Sequence, residues 1–424
     1  MRVLHKDTAY ATGCTDPIGI ALAASVAKAN SMGRIEKVTI DVSPNIFKNA
    51  MGVGIPGTSD KGIDYAAAMG IVTGNPDGGL DVLNHIEDTA SQDVTVLLKE
   101  VETTVTISSN GILLYISVRL DTNEGWTKAV IQDNYDNVVC IICNGEETWF
   151  DTKTASAGER INLNSICVQD VFDFAASAPF DQLAYLKDGA YSNRAAAMEG
   201  IETNASFGLG KALSGLSCSD RIMHAFLKAR AYTAGASDAR MAGMPVRIMA
   251  VAGSGNHGIT SLLSVLAVWE AEELDEAALI RGLALSALMT IYIKWHVKRM
   301  SAFCGCAVAA ATGAAAGITC MLGGTEKEAA GAMESIMGSL TGMICDGAKE
   351  TCSHKVSVAA GEAVLHSYFA VQGISVQSPV GILSRDLKQS FINMGQINDP
   401  GMKETDAVIL EIARKIQAEI MQER

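Results

Sequence analysis

Ala307-Val-Ala-Ala-Ala-Thr-Gly-Ala-Ala-Ala-Gly-Ile-Thr-Cys-Met-Leu-Gly-Gly324 contains no charged side chain. It reads as a helix packed on all sides, because Ala and Gly are small enough to let neighbouring backbones approach closely. The stretch lies within residues 300–355, which carry five of the ten cysteines: Cys304 and Cys306 ahead of it, Cys320 inside it, Cys345 and Cys352 after it. Thiols held in a buried helical frame point to a site. Disulfides are not expected, because no secretory signal precedes them and the chain is long enough to bury a core without covalent staples. Metal binding, redox chemistry and inert core cysteines remain.

Composition narrows the class. A length of 424 residues predicts two or three domains, and 48% apolar residues supply ample core. A formal charge of -14 argues against nucleic acid and against anionic membrane surfaces. The start, Met-Arg-Val-Leu-His-Lys-Asp, has no apolar export core, so a cytoplasmic protein is expected. The uncharged run 300–325 could span a bilayer by length, but Ala, Gly, Ser and Thr contribute little transfer energy, so no membrane segment is read there.

Upstream, Thr12-Gly-Cys14-Thr-Asp16-Pro17 opens a helix expected over 17–30, with Asp16 as N-cap and Pro17 first in the helix. Cys14 then lies just outside a positive helix end, which would lower its thiol pKa and favour reactivity; a small apolar filler in a turn is the alternative. Residues 34–42 alternate like a strand and run into Asn45, Lys48 and Asn49, spaced to share one helix face. That face offers a cation and two amides to a carboxylate, although a solvated surface reads the same way. From 93 to 151, short β-branched runs at 94–98, 104–107, 111–118 and 129–132 with turn-like separators predict an antiparallel sheet as its own subdomain. Cys140 and Cys143 have a C-x-x-C spacing inside a strand pattern and read as core.

Beyond 166 the chain reads as helical, ending in an amphipathic helix over about 404–423. The predicted fold is α+β: a large, mainly α-helical domain over 152–424 built around the Ala/Gly helix, an antiparallel β subdomain over 93–151, and helix and strand segments over 1–92 that contribute to the catalytic core. Within the helical part, Gly253-Ser254-Gly255-Asn256-His257-Gly258 precedes a clear helix start. Backbone N–H groups at such a start, with the side chains of Ser254, Asn256 and His257, suit a small carboxylate; a plain helix-entry turn is the alternative. Cys345 and Cys352 would stand ~10 Å apart on one continuous helix, too far for one zinc ion unless Asp346-Gly347 bends the backbone. Scattered thiolates of this kind could instead hold three irons of a [4Fe–4S] cluster, leaving the fourth open as a Lewis acid.

Gly13-Cys14-Thr15-Asp16-Pro17, Asn45-Ile-Phe-Lys48-Asn49, Gly253-Ser-Gly-Asn256-His-Gly258, Cys304-Gly-Cys306 and Thr341-Gly-Met-Ile-Cys345-Asp-Gly-Ala-Lys349 through Cys352 together resemble the L-cysteine desulfidase family, which is related to the alpha-chain domain of iron–sulfur L-serine dehydratases. The resemblance runs through nearly the whole chain. It implies a [4Fe–4S] cluster held by Cys345, Cys352 and one of Cys304 or Cys306, with Cys14 at the position of the proposed proton acceptor. The implied reaction is α,β-elimination of L-cysteine to pyruvate, ammonia and sulfide; joined with the reading of the residues, it suggests the substrate carboxylate on the Ser254–Gly258 loop, with Lys48 and Asn49 as candidate further contacts. The serine dehydratases end in a cysteine that occupies the cluster when substrate is absent; this sequence ends Met421-Gln-Glu-Arg424, which favours the desulfidase. The expected partner is a small amino acid, with a homo-oligomer left open. A serine dehydratase-type deaminase, a non-catalytic iron–sulfur redox sensor and a helical scaffold with inert thiols are the alternatives.

Overall fold

The computed structural model describes residues 1–58, 60–83, 90–150, 162–298 and 300–423. The Ala/Gly run forms helix Ala309–Met321, in which every residue but Cys320 is buried. It packs against helices Gly255–Glu272, Glu276–Val297, Glu326–Leu340 and Cys352–Ala370. Its glycines set those distances: a Cβ on Gly313 would lie 2.2 Å from Thr290 Oγ1, and one on Gly317 would lie 2.3 Å from the Gly282 carbonyl oxygen. Several buried hydroxyls in this bundle are satisfied across helices, as where Ser286 Oγ donates to the Ser261 carbonyl at 2.8 Å and Ser367 Oγ to that of Ala315 at 3.1 Å. Among the described residues one helix, Glu276–Val297, has the length and hydropathy of a membrane span, and it is largely buried within the bundle.

The strands among the described residues are β1 (Thr8–Thr12), β2 (Ile35–Val42), β3 (Glu102–Ile107), β4 (Tyr115–Thr122), β5 (Gly125–Gln132), β6 (Val138–Cys143), β7 (Glu146–Phe150) and β8 (Arg247–Val251). Six of them form a sheet in the order β3-β2-β4-β5-β6-β7, with β2 and β3 parallel and the other pairs antiparallel. The fold is α+β, but the sheet is mixed and is not confined to 93–151, because β2 lies inside it. A parallel pair needs a long crossover. Helices Ile63–Thr73 and Ala90–Glu100 provide it, and the second of these replaces the strand expected over 94–98. Val94, Leu97, Leu98 and Val101 recur at helical spacing, and all four pack into the core of the sheet half. Cys140 packs with Tyr115, Val130 and Val139. The boundary expected at 151 lies outside the described residues.

Helix Thr15–Ala29 packs on β4 and β5 and so belongs to the sheet half. β1 does not: it pairs antiparallel with β8 of the helical half, from Thr8 opposite Val251 to Thr12 opposite Arg247. Gly13, at φ +65° and with Pro56 where a Cβ would be, turns the chain from one half into the other. Cys14 therefore stands at the joint. It is also the N-cap of the helix, a place expected for Asp16, whose carboxylate turns instead to Cys14, Asn49 and Tyr135.

Candidate active site

A cavity of about 120 Å³ lies at this joint. The sheet half contributes Cys14, Asp16, Asn45, Lys48, Asn49 and Tyr135; the helical half contributes Arg240, Ser254, Asn256, His257, Lys294, Cys304, Cys306, Cys345 and Cys352. Of the residues expected from the sequence to act as base, cluster ligand or substrate contact, Gly255 does not line it. A Cβ there would lie 2.5 Å from Arg240 Nε, so its missing side chain makes room for a guanidinium.

The four clustered cysteines are brought in by backbone. Cys304 N–H donates to the Met343 carbonyl and Cys345 N–H to that of Ala302, both at 2.7 Å, and this two-stranded clip sets the two segments side by side. Gly347, at φ +98°, then turns the chain where a Cβ would lie 2.1 Å from the Lys48 carbonyl oxygen, and Cys352 returns at the start of helix Cys352–Ala370. The 345–352 stretch is thus bent at Asp346-Gly347, as a shared site requires. Asp346 is tied by Lys349 and Lys355; burial alone would raise its carboxyl, but these hydrogen bonds outweigh it and hold the pKa at about 2.

Burial first, and then the Cys304 charge, push the thiols of Cys345 and Cys352 up, the latter to about 11. Cys304 itself is held high by a hydrogen bond with Cys306 and then by burial. Cys304, Cys345 and Cys352 therefore occupy one low-dielectric space in which three negative charges would repel, which suits a cationic iron–sulfur core. Among the described residues no three His, Cys, Asp or Glu side chains converge tightly enough for a single metal ion. A cluster spreads its cysteines over separate irons and does not need that convergence. Cys306 Sγ lies 3.6 Å from Ser254 Oγ, facing the 253–258 loop.

Cys14 departs from expectation. It is 1% exposed, and burial pushes its thiol up to about 12, against the pull of the Arg240 charge. A helix end is worth about 0.3–1 kcal/mol. The rise from an ordinary 9.0 to about 12 is roughly 4 kcal/mol, so burial wins. The Sγ–H donates to Asp16 Oδ2 at 3.5 Å, while Asp16 Oδ1 accepts from Tyr135 Oη at 2.9 Å and Asn49 Nδ2 at 3.2 Å. Burial raises Asp16 as well, against these hydrogen bonds. Cys14 packs with Val53, Met241, Ala348 and Cys352, beside the thiol group despite its distance in sequence.

Two further expectations change. Lys48 is almost fully buried and its Nζ makes an ion pair at 2.6 Å with Asp406 Oδ1 of the last helix, Lys403–Glu423, so its charge is already matched. The Asn49 amide is committed to Asp16. His257 Nδ1 lies 3.1 Å from the Val251 carbonyl oxygen, and its Nε2 and Lys294 Nζ both crowd Gly305, where a Cβ would be 2.9 and 3.1 Å away. Asp16 as a cavity acid, Tyr135, Arg240 and Lys294 were not legible as site residues. The one local signal was Asp238 and Arg240, charges set in the small-residue run Ala234-Gly-Ala-Ser-Asp-Ala-Arg240.

The sequence profile of the family described as "Serine dehydratase alpha chain" matches residues 84–411. The chain belongs to that family. Its serine dehydratase alpha-chain match takes in Arg240, the 254–257 loop and Cys304, Cys306, Cys345 and Cys352, while Cys14, Asp16 and Lys48 lie ahead of it. Similar proteins span the whole length. A UPF0597 protein of Methanocella arvoryzae is 37% identical over 97% of this chain and 97% of its own. UPF0597 proteins of Desulfatibacillum aliphaticivorans, 36% identical over 97% and 96%, and of Clostridium tetani, 34% identical over 97% and 97%, are further relatives of this serine dehydratase alpha-chain family member.

Proposed function

We propose that the chain is an iron–sulfur lyase acting by α,β-elimination on L-cysteine, yielding pyruvate, ammonia and sulfide. The observation that carries this reading is that Cys14 and the thiols of Cys304, Cys345 and Cys352 line one small cavity with the Ser254 loop, though they come from opposite ends of the chain. Deamination of L-serine on the same scaffold is the second reading, favoured by the family match.

Cys304, Cys345 and Cys352 would hold a [4Fe–4S] cluster, which supplies a Lewis acid for the departing β-substituent. The protein does the rest. Ser254, Asn256 and the N–H groups at the start of helix Gly255–Glu272 orient the carboxylate end of the substrate. Cys14 removes the α-proton after passing its own proton to Asp16 Oδ2, with which it already shares a hydrogen bond. The pair carries one negative charge in either arrangement, so the transfer buries no new charge, and Arg240 offsets that charge throughout. Asn49 and Tyr135 hold the other carboxylate oxygen still. Release of sulfide leaves aminoacrylate, which tautomerises and hydrolyses to pyruvate and ammonia.

The test is anaerobic cluster reconstitution followed by pyruvate and sulfide assays. Pyruvate formed with equimolar sulfide from L-cysteine supports the first reading, and pyruvate from L-serine alone the second. A protein that binds iron and sulfide yet turns over neither amino acid sinks both and leaves the redox sensor.

A further inference from the structure

We infer that Arg240 is the group that reads the substrate's α-carboxylate, an assignment that rests on the amino-acid elimination proposed above. Arg240 closes helix Arg221–Met241 and is 4% exposed, with its guanidinium lining the cavity. Nε donates to the Gly13 carbonyl at 3.0 Å and Nη1 to Asn256 Oδ1 at 3.1 Å. Both acceptors are neutral. A guanidinium has five N–H donors, so three are left for a ligand.

A buried cation is costly unless an anion matches it. The near carboxylate, Asp16, gives its oxygens to Cys14, Asn49 and Tyr135 and feels Arg240 only through space. Lys48, the cation the sequence pointed to, already has Asp406. Arg240 thus makes its hydrogen bonds to neutral oxygens, and its remaining donors form a planar fork that suits a carboxylate, which the single ammonium of Lys294, donating to Ser301 Oγ at 3.3 Å, does not. A second feature points the same way: Gly255 has no side chain where a Cβ would strike Nε, so the guanidinium lies against the first turn of the 18-residue helix Gly255–Glu272. The positive helix end and the fork then act on one anion. Because Nε is tied to the carbonyl beside Cys14 and Nη1 to Asn256, a carboxylate on the outer edge of the fork is held between the proton-abstracting group and the 254–257 loop.

The experiment is calorimetric titration of the protein, as purified and after anaerobic reconstitution, with L-alanine and with L-alaninamide. Neither has a β-substituent to lose, so binding is read without turnover. Wild type should prefer the acid over the amide by at least ~30-fold, the scale of losing one member of a buried charged pair. Arg240→Gln should bring the two ligands within about threefold, with its melting temperature recorded to show that it folds. Arg240→Lys, which keeps the charge but not the fork, should retain a preference for the acid at weaker affinity, and covers the case in which the Gln variant does not fold. An Arg240→Gln protein that keeps the wild-type preference, or a wild type that binds the two alike or binds neither, overturns the assignment. Acid preference lost in the variant, with no pyruvate formed by wild type from L-cysteine or L-serine, would keep the anchor and sink the elimination. Normal turnover with normal KM in the Gln variant would do the reverse.

Discussion

Between Cys14 Sγ and Asp16 Oδ2 lie 3.5 Å and one transferable proton. Two coupled groups titrate as a unit, so neither the high thiol nor the raised carboxyl is by itself the working acid or base. Cys14→Ala should keep the cluster absorbance and lower elimination by about 10²–10⁴-fold, and Asp16→Asn, which keeps the shape but cannot take a proton, should cost a similar factor. An Ala variant that loses its cluster would make Cys14 a ligand instead. Beside this pair, Cys345→Ser, Cys352→Ser and Cys304→Ser should each abolish cluster absorbance, while Cys306→Ser and Cys140→Ser leave it in place; retention in the Cys345 variant would refute the ligand set. These thiols were legible because cysteine is scarce and their order along the chain is distinctive. The protonation of Cys14 was not, since its sequence context reports the helix end but not the burial that outweighs it. Nor was the commitment of Lys48, whose counter-ion lies 358 positions away.

Among the elements, helix Ala309–Met321 follows most directly from sequence: no side chain larger than Met or Ile and no charge leaves burial as its only stable setting. Gly317→Ala should destabilise the protein by about 1–3 kcal/mol, visible in thermal or denaturant melts, because a Cβ 2.3 Å from a backbone carbonyl cannot be relieved by a rotamer change. An unchanged midpoint would mean that the Glu276–Val297 helix can yield. The sheet half was harder to read. Val94-Thr-Val-Leu-Leu fits a short strand as well as a helix face, and the helix wins because Val94 and its spaced neighbours find a core to pack into. The parallel partner of β2 could not be seen at all, since strand pairing across some sixty positions leaves no local mark.

For the molecule as a whole, the wholly or partly buried thiols set an alkaline limit. Cys14, Cys320 and Cys352 titrate at about 12, 11 and 11 in the fold, against an ordinary 9.0. Below pH 9 neither folded nor unfolded chain has released these protons and their stabilisation is whole; as pH rises from 9 toward 12 the unfolded chain releases them first and stability falls. At pH 10 the metal-free protein should have lost roughly 1.4 kcal/mol per thiol, about 4 in all, measurable as a lower unfolding midpoint under reducing, anaerobic conditions. A midpoint constant from pH 8 to 10 would show that these thiols are not raised in the fold. The halves are also strapped together. Asn398 accepts from Ala302 N–H at 2.8 Å, next to the Cys304 turn, and eight residues later Asp406 reaches Lys48. Asp406→Ala should cost about 1–3 kcal/mol by leaving a buried ammonium unmatched. That strap has a bearing on biosynthesis. A ribosome delivers Lys48 a full 358 positions ahead of Asp406, so for most of its synthesis a growing chain carries that lysine without the carboxylate that covers it in the fold.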